Sequence, residues 1–191
     1  MAELRITGGE LRGRRIAAPG RGEKTRPTSE RVREAAFSIL GSVEGARVLD
    51  LFCGTGALAF EALSRGAAAA TLVDTRTRTA RANAERLGVT DRARVVRSAA
   101  APFLSRVSDR GRARGGIAAA GFDLVLCDPP YDLPDRDWER LAPPLAASLA
   151  EGGRLMLECA AARPLAVALP LLRERRYGDT MLRLYGAGEG A

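Results

Sequence analysis

The order of segments predicts an α/β fold: a mostly parallel, seven-stranded sheet with helices on both faces, preceded by a small N-terminal β-hairpin. Three observations carry the prediction. From Ala46 onward, short apolar runs alternate with helical patterns, the signature of parallel strands joined by crossover helices. Three of those runs end in an acid, at Asp50, Asp74 and Asp128, so three carboxylates converge on the carboxyl edge of the sheet, where ligands bind in such folds. The first run leads into Gly54-Thr55-Gly56 and then a helix, the strand–loop–helix arrangement of a Rossmann-like domain.

Leu4 to Pro19 alternates apolar residues with Gly8-Gly9 and Arg12-Gly13-Arg14-Arg15, which reads as a β-hairpin with basic tips. Gly20 to Arg26 reads as a flexible charged link. Thr28 or Ser29 then caps a helix to about Leu40, with Val32, Ala36, Phe37 and Leu40 on one face. Strands are expected at Ala46–Asp50, Ala70–Asp74, Arg94–Arg97, Phe122–Asp128 and Gly153–Glu158. Helices are expected at Gly56–Arg65, Thr77–Leu87, Ala99–Val107 and Trp138–Ala147. Leu171–Arg176 and Thr180–Leu184 form a closing β-pair around Tyr177-Gly178-Asp179. Ser105 to Gly121 has no hydrophobic period and is expected to be a mobile loop, its arginines facing RNA phosphates or solvent. The expected organisation is a basic hairpin at 1–27, a catalytic domain at 28–186 and a flexible tail at 187–191.

Composition narrows the function. A chain of 191 residues, 46% hydrophobic and 28% charged, suits one folded domain. The net charge is +7 and the isoelectric point near 10.3, which favours a polyanionic partner. Residues 1 to 33 hold nine basic groups against four acids, +5 of that total. No histidine is present, which removes Ser-His-Asp and Cys-His catalysis and most catalytic zinc sites. Cys53, Cys127 and Cys159 are too dispersed for a metal site or a disulfide framework, and Cys127 is expected to point into the core. Neither a signal peptide nor a spanning segment is visible, so the expected location is cytoplasmic, with no membrane partner and no metal.

The chemistry concentrates at Phe122-Asp-Leu-Val-Leu-Cys-Asp-Pro-Pro-Tyr131. Pro129 and Pro130 lack backbone N–H groups, so the strand end offers acceptors: the Asp128 carboxylate and nearby carbonyls. Such a pocket suits a ligand that brings donors, such as an exocyclic amine, and Tyr131 adds a face on which a base can stack. Upstream, Asp50 stands beside Gly54 and Gly56, where a carboxylate repels pyrophosphate and complements an ammonium group. Eighteen residues after Gly56, Asp74 is placed to hold two ribose hydroxyls. An amino-acid end, ribose hydroxyls and no phosphate describe S-adenosylmethionine.

Asp50-x-Phe52-x-Gly54-x-Gly56, Asp74 and Asp128-Pro129-Pro130-Tyr131 together resemble a class I S-adenosylmethionine-dependent methyltransferase acting on an amino nitrogen. Arg5-Ile6-x-Gly8-Gly9-x-x-Arg12-Gly13-Arg14, Arg26-Pro27-Thr28-x-x-Arg31-Val32-Arg33-Glu34-x-x-Phe37 and Glu61-Ala62-Leu63-Ser64-Arg65-Gly66-Ala67 narrow the likeness. They resemble the RsmD family of bacterial 16S rRNA guanine-N2 methyltransferases, over Arg5 to about Tyr185. The resemblance implies the class I methyltransferase fold and N2 methylation of a guanine in a small-subunit rRNA loop. It implies catalytic Asp128, Pro129, Pro130 and Tyr131, and cofactor contacts at Asp50, Phe52, Gly54, Gly56, Asp74, Ser98 and Ala99. Ala99 stands where the family often has an amide or acid, so adenine recognition there rests on backbone groups or Ser98. RNA contacts are expected at Arg5, Arg12, Arg14, Arg15, Arg26 and Arg31. The expected partner is 16S rRNA or an assembling 30S subunit, met by a monomer.

Two rival readings share these motifs. A DNA adenine or cytosine amino-methyltransferase would carry the same Asp-Pro-Pro-Tyr turn, but such enzymes usually need a separate target-recognition region. A non-catalytic RNA-binding assembly factor would keep the fold while letting the cofactor residues decay.

Overall fold

The computed structural model describes residues 3–18, 29–113 and 121–187. The hairpin is present, with β1 (Glu3–Arg5) antiparallel to β2 (Arg15–Ala17) and Leu4 opposite Ile16. Ser29 caps α1 (Glu30–Leu40), its Oγ accepting from the Val32 N–H at 3.3 Å. Alternation then produces β3 (Arg47–Leu51), α2 (Ala57–Ser64), β4 (Ala69–Asp74), α3 (Arg78–Leu87), β5 (Ala93–Arg97), α4 (Ala100–Ala113) and β6 (Phe122–Cys127). After them come α5 (Asp135–Ala146), β7 (Leu149–Ala160), β8 (Leu171–Tyr177) and β9 (Thr180–Gly186).

The main sheet has seven strands in the order β5-β4-β3-β6-β7-β9-β8. Strands β3 to β7 pair in parallel, and β9 runs antiparallel to both β7 and β8. The mostly parallel sheet expected from the strand–helix alternation is therefore the observed one. Side chains alternate between its faces. Val48, Leu72, Leu124, Leu126 and Met156 pack with α1, α2 and α3, whereas Leu49, Leu51, Val73, Val125, Cys127, Leu155 and Leu157 pack with α4 and α5. Fully buried residues such as Phe60, Leu63 and Leu104 contribute roughly 1.5–3 kcal/mol each.

The hairpin is held on α2 by a polar latch. Glu61, fully buried, accepts from the Thr7 N–H (2.9 Å), the Thr7 hydroxyl (2.7 Å), the Gly8 N–H (2.8 Å) and Arg65 Nε (2.8 Å). The Ser64 hydroxyl donates to the Gly8 carbonyl and accepts from the Leu11 N–H, and the Ser64 carbonyl accepts from the Glu10 N–H. Gly9 allows this approach: its φ is +76°, and a Cβ there would sit 1.7 Å from the Ser64 carbonyl oxygen. Arg33, also fully buried, donates to the Arg5 carbonyl at 2.5 Å. The Gly8-Gly9 and Glu61–Ser64–Arg65 motifs are thus two halves of one contact. At its other end, the side-chain amide of Asn83 on α3 bonds the Ala17 N–H and carbonyl and donates to the Thr55 carbonyl.

One expectation is corrected. Residues 105 to 113 are not a loop but the second half of α4. Ala100, Phe103 and Leu104 anchor the first turns in the core and Val107 packs against it, and a nucleated helix propagates one residue at a time beyond them. Residues 114–120 lie outside the described residues, as do the link 20–26, Thr28 and the tail 188–191.

Candidate active site at the carboxyl edge of the sheet

Strand order reverses between β3 and β6, because β4 and β5 extend the sheet one way and β7, β9 and β8 the other. A cleft of about 1040 Å³ opens at this switch point. Asp50, Phe52, Gly54 and Asp74 line it from the β3–β4 side, and Asp128, Pro129, Pro130 and Tyr131 from the β6 side. The three strand-ending carboxylates meet in one place, as the pattern of the strands predicts.

Asp50 sits beneath the glycine loop at 1% exposure. Its Oδ2 accepts the Ala59 N–H at 3.1 Å, which satisfies one of the donors at the start of α2, where the N-cap Gly56 has no side chain to do so. Oδ1 has no hydrogen-bond partner among the described residues. Burial pushes the Asp50 carboxyl well above the usual range, opposed by the Ala59 N–H and reinforced by Asp128 and Asp74. An orphaned carboxylate oxygen at a cleft wall fits a cationic ligand group, which would relieve that strain. Asp74 accepts the Gly54 N–H at Oδ2 and the Arg76 N–H at Oδ1, both at 2.9 Å. Oδ1 also accepts from the Thr75 hydroxyl at 3.4 Å, so it is Oδ2 that keeps a second lone pair for a ribose hydroxyl. Phe52 holds φ +61°, a conformation that non-glycine residues rarely adopt outside functional turns.

Three expected cofactor positions do not line the cleft. Gly56, φ +82°, is there for packing: a Cβ would fall 2.4 Å from the Phe60 ring and 2.7 Å from Leu72. The Ser98 hydroxyl is taken up by the Ala99 carbonyl (2.9 Å) and Arg106 Nη2 (2.7 Å), and Ala99 is exposed beside it. Thr75, Arg76, Arg78 and Thr79 line that end instead.

On the β6 side, the Tyr131 hydroxyl is tied to Thr180 Oγ1 at 2.8 Å, with the residue 40% exposed. Arg163 donates to the Tyr131 carbonyl at 3.3 Å and to the Leu133 carbonyl, and pairs with Asp135, so the turn after Pro130 is anchored from the far end of β7. Glu158, Thr180 and Arg176 also line the cleft. Their single-letter context carries no motif, and only the sheet order brings them to Asp128. Cys127 is buried with its thiol pushed up by desolvation, in keeping with a core residue. Of the arginines expected to meet RNA, Arg31 lines the cleft. Arg5, Arg12, Arg14 and Arg15 are exposed on the hairpin; Arg14 donates to the Arg86 carbonyl and Arg15 pairs with Glu3 at 3.1 Å. Arg26 lies outside the described residues.

Residues 4–186 match the family described as conserved hypothetical protein 95. The chain belongs to this family. Ribosomal RNA small subunit methyltransferase D of Escherichia coli is 37% identical over 132 residues, covering 68% of this chain and 61% of that protein. YlbH of Bacillus subtilis, named as a candidate rRNA methyltransferase, is 36% identical over 132 residues and 67% of each chain. A solved structure of the candidate methyltransferase yhhF of Escherichia coli superposes with a TM-score of 0.76 at 33% identity, over 99% of this chain and 100% of that one. The RsmD-type resemblance of the motifs is borne out, and the methyltransferase fold with it. Among the described residues, no helix is long and apolar enough to cross a membrane and no group of acids and cysteines has a metal-site arrangement.

Proposed function

We propose that this chain is an S-adenosylmethionine-dependent methyltransferase that modifies the exocyclic N2 amine of a guanine in 16S rRNA. The observation that carries the reading is the division of one cleft. The β3–β4 half offers Asp50 for an ammonium and Asp74 for a ribose diol; the β6 half offers an acceptor-only Asp-Pro-Pro turn beside an aromatic face. The names of the Escherichia coli and Bacillus subtilis relatives support rRNA as the substrate class. Both halves come from a single chain, which supports a monomer acting on free rRNA or on an assembling 30S particle.

S-adenosylmethionine, held by Asp50, Phe52, Gly54 and Asp74, supplies a methyl group already activated on a sulfonium. The residues of the β6 half do the rest. The lone pair of a guanine amine is delocalised into the ring, so the nitrogen is a poor nucleophile. The Asp128 carboxylate and the Pro129 carbonyl accept its two hydrogens, turn the lone pair out of conjugation toward the β3 half, and offset the positive charge that develops on nitrogen. Positioning supplies much of the acceleration, and one such electrostatic contact is worth on the order of 10²–10³ in rate. Tyr131, fixed by Thr180, presents its ring to the base, a stacking contact worth roughly 1–3 kcal/mol. The base must be unpaired to reach the turn, which favours a loop nucleotide. In this reading Arg31, which lines the cleft, and Arg12, exposed on the hairpin, meet phosphates.

The deciding experiment is methyl transfer from labelled S-adenosylmethionine to naked 16S rRNA, 30S particles and genomic DNA, followed by nucleoside analysis. N2-methylguanosine from either RNA substrate is expected. Label in methyladenine or methylcytosine of DNA would overturn the substrate assignment, and absence of label despite cofactor binding would favour an RNA-binding factor.

A further inference from the structure

Charge in the cleft is layered. Asp50, Asp74, Asp128 and Glu158 are buried or half-buried and form its floor; of the acids among its described lining residues, only Asp132 is exposed. The lining arginines, Arg31, Arg76, Arg78 and Arg176, are all exposed and form its rim. Arg76 and Arg78 follow Asp74 at the cofactor end. Arg31 and Arg176 belong to the substrate half, because α1 packs against β9 and β9 pairs with β8. Arg31 has a phosphate to meet in the reaction above; Arg176 has no part in it. Arg176 is the last-but-one residue of β8, beside the two-residue turn Gly178-Asp179. Gly178, at φ +61°, suits the first position of such a turn. The turn is held at three points. The Asp179 carbonyl accepts the Ala161 N–H at 2.8 Å, Tyr177 packs on the core, and the Thr180 hydroxyl bonds that of Tyr131. Arg176 Nε itself donates to the Gly178 carbonyl at 2.9 Å. That bond uses one guanidinium donor and sets the fork before any ligand arrives.

We propose that Arg176, with Arg31, forms a phosphate site at the rim that grips the RNA backbone next to the target nucleotide; this rests on the rRNA reading above. An unpaired nucleotide is two-ended: its phosphates are anionic, while the edge of its base carries N–H donors. The carboxylates of the floor repel phosphate and accept from the base, and the arginines of the rim do the reverse. The layering therefore fixes which end of the nucleotide enters. An arginine fork matches two phosphate oxygens at once. The turn that sets Arg176 also sets Tyr131, through Thr180. One element thus holds the phosphate and the stacked base in fixed relation to each other.

The test uses the full chain and synthetic RNAs that span the guanosine methylated by the wild-type protein. Single neutral methylphosphonate linkages replace the phosphates on either side of that guanosine, one at a time. In the wild type, at least one such linkage is expected to lower kcat/KM about tenfold or more, the size of a lost charge-assisted hydrogen bond. Arg176→Gln on unmodified RNA is expected to lose a similar factor, chiefly in KM, with S-adenosylmethionine affinity unchanged. On the sensitive methylphosphonate RNA the variant should lose less than about threefold more, because both changes remove one contact. Fully multiplicative losses would overturn the assignment, since they would place Arg176 and that phosphate in separate contacts. Wild-type kcat/KM in R176Q would overturn it too. A wild type insensitive to every flanking linkage would overturn it without any variant, which matters if R176Q does not fold. A wild-type protein that yields no N2-methylguanosine from any RNA, whatever its linkages, would remove the guanine-N2 reading and the phosphate site together, and is told apart by that missing product.

Discussion

At the scale of single residues, Asp50 combines a structural task with the ligand-binding task proposed for it, and the two pull against each other. Its Oδ2 caps α2 while Oδ1 stays buried without a partner among the described residues. Because burial raises its folded-state pKa, the ligand-free protein holds Asp50 protonated where the unfolded chain, titrating near 4, releases the proton. The sign follows from proton counting: the stability this group allows is complete below the unfolded value and is lost as pH rises toward the folded one. Asp50→Asn is therefore expected to stabilise the ligand-free protein at neutral pH by about 1 kcal/mol or more, while weakening S-adenosylmethionine binding. Urea melts and calorimetric titrations check both halves, and an unchanged cofactor affinity would remove Asp50 from the ligand site. In the wild type, cofactor binding should release protons and tighten as pH rises, since a cationic group favours ionised Asp50; titrations in buffers of different ionisation enthalpy measure this. Asp128→Ala is expected to lower kcat by about 10²-fold or more, with cofactor affinity within a few fold of wild type.

At the scale of elements, the hairpin–α2 latch makes the basic hairpin part of the folded body. Gly9→Ala forces a Cβ into the Ser64 carbonyl at a left-handed φ and is expected to destabilise by roughly 2–4 kcal/mol. Glu61→Ala leaves four donors in and around the latch without their acceptor and should destabilise by roughly 3–5 kcal/mol. Denaturant unfolding followed together with proteolysis of the hairpin reads both, and a fully stable variant with a protected hairpin would show the latch to be unimportant. These motifs were visible in the sequence as Gly8-Gly9 and Glu61–Arg65, but their pairing was not, because the residues lie more than fifty positions apart and nothing local marks them as partners. The polar second half of α4 was missed for a related reason. Hydrophobic periodicity reports which face a helix buries, and residues 108–113 lack such a period.

At the scale of the whole molecule, the charge of +7 acts through the arginines that remain available. RNA affinity should fall with salt, each phosphate contact contributing a slope of about −0.7 on single strands. Arg12→Gln is expected to flatten that slope by about one such contact. Arg15→Gln should flatten it less, because Arg15 is already paired with Glu3. Binding isotherms across a salt series distinguish the two, and equal effects would mean that the Arg15–Glu3 pair opens on RNA.

The sequence by itself determined the class of sheet, the three acid-ended strands and the Asp-Pro-Pro-Tyr turn, because each is written in a few consecutive residues whose backbone chemistry is local. It also singled out Gly54, from its place in the turn between a strand and a helix, while Phe52 came from the resemblance of the surrounding motif to class I methyltransferases. Only the tertiary structure decided that Gly56 serves packing, that Ser98 is held by Arg106, and that Arg163 and Thr180 fix the turn around Tyr131. It alone set Glu158 beside Asp128. The two are thirty residues apart in the chain, and the hydrogen-bonded register of β6 with β7 brings Glu158, within β7, beside Asp128 just past the end of β6.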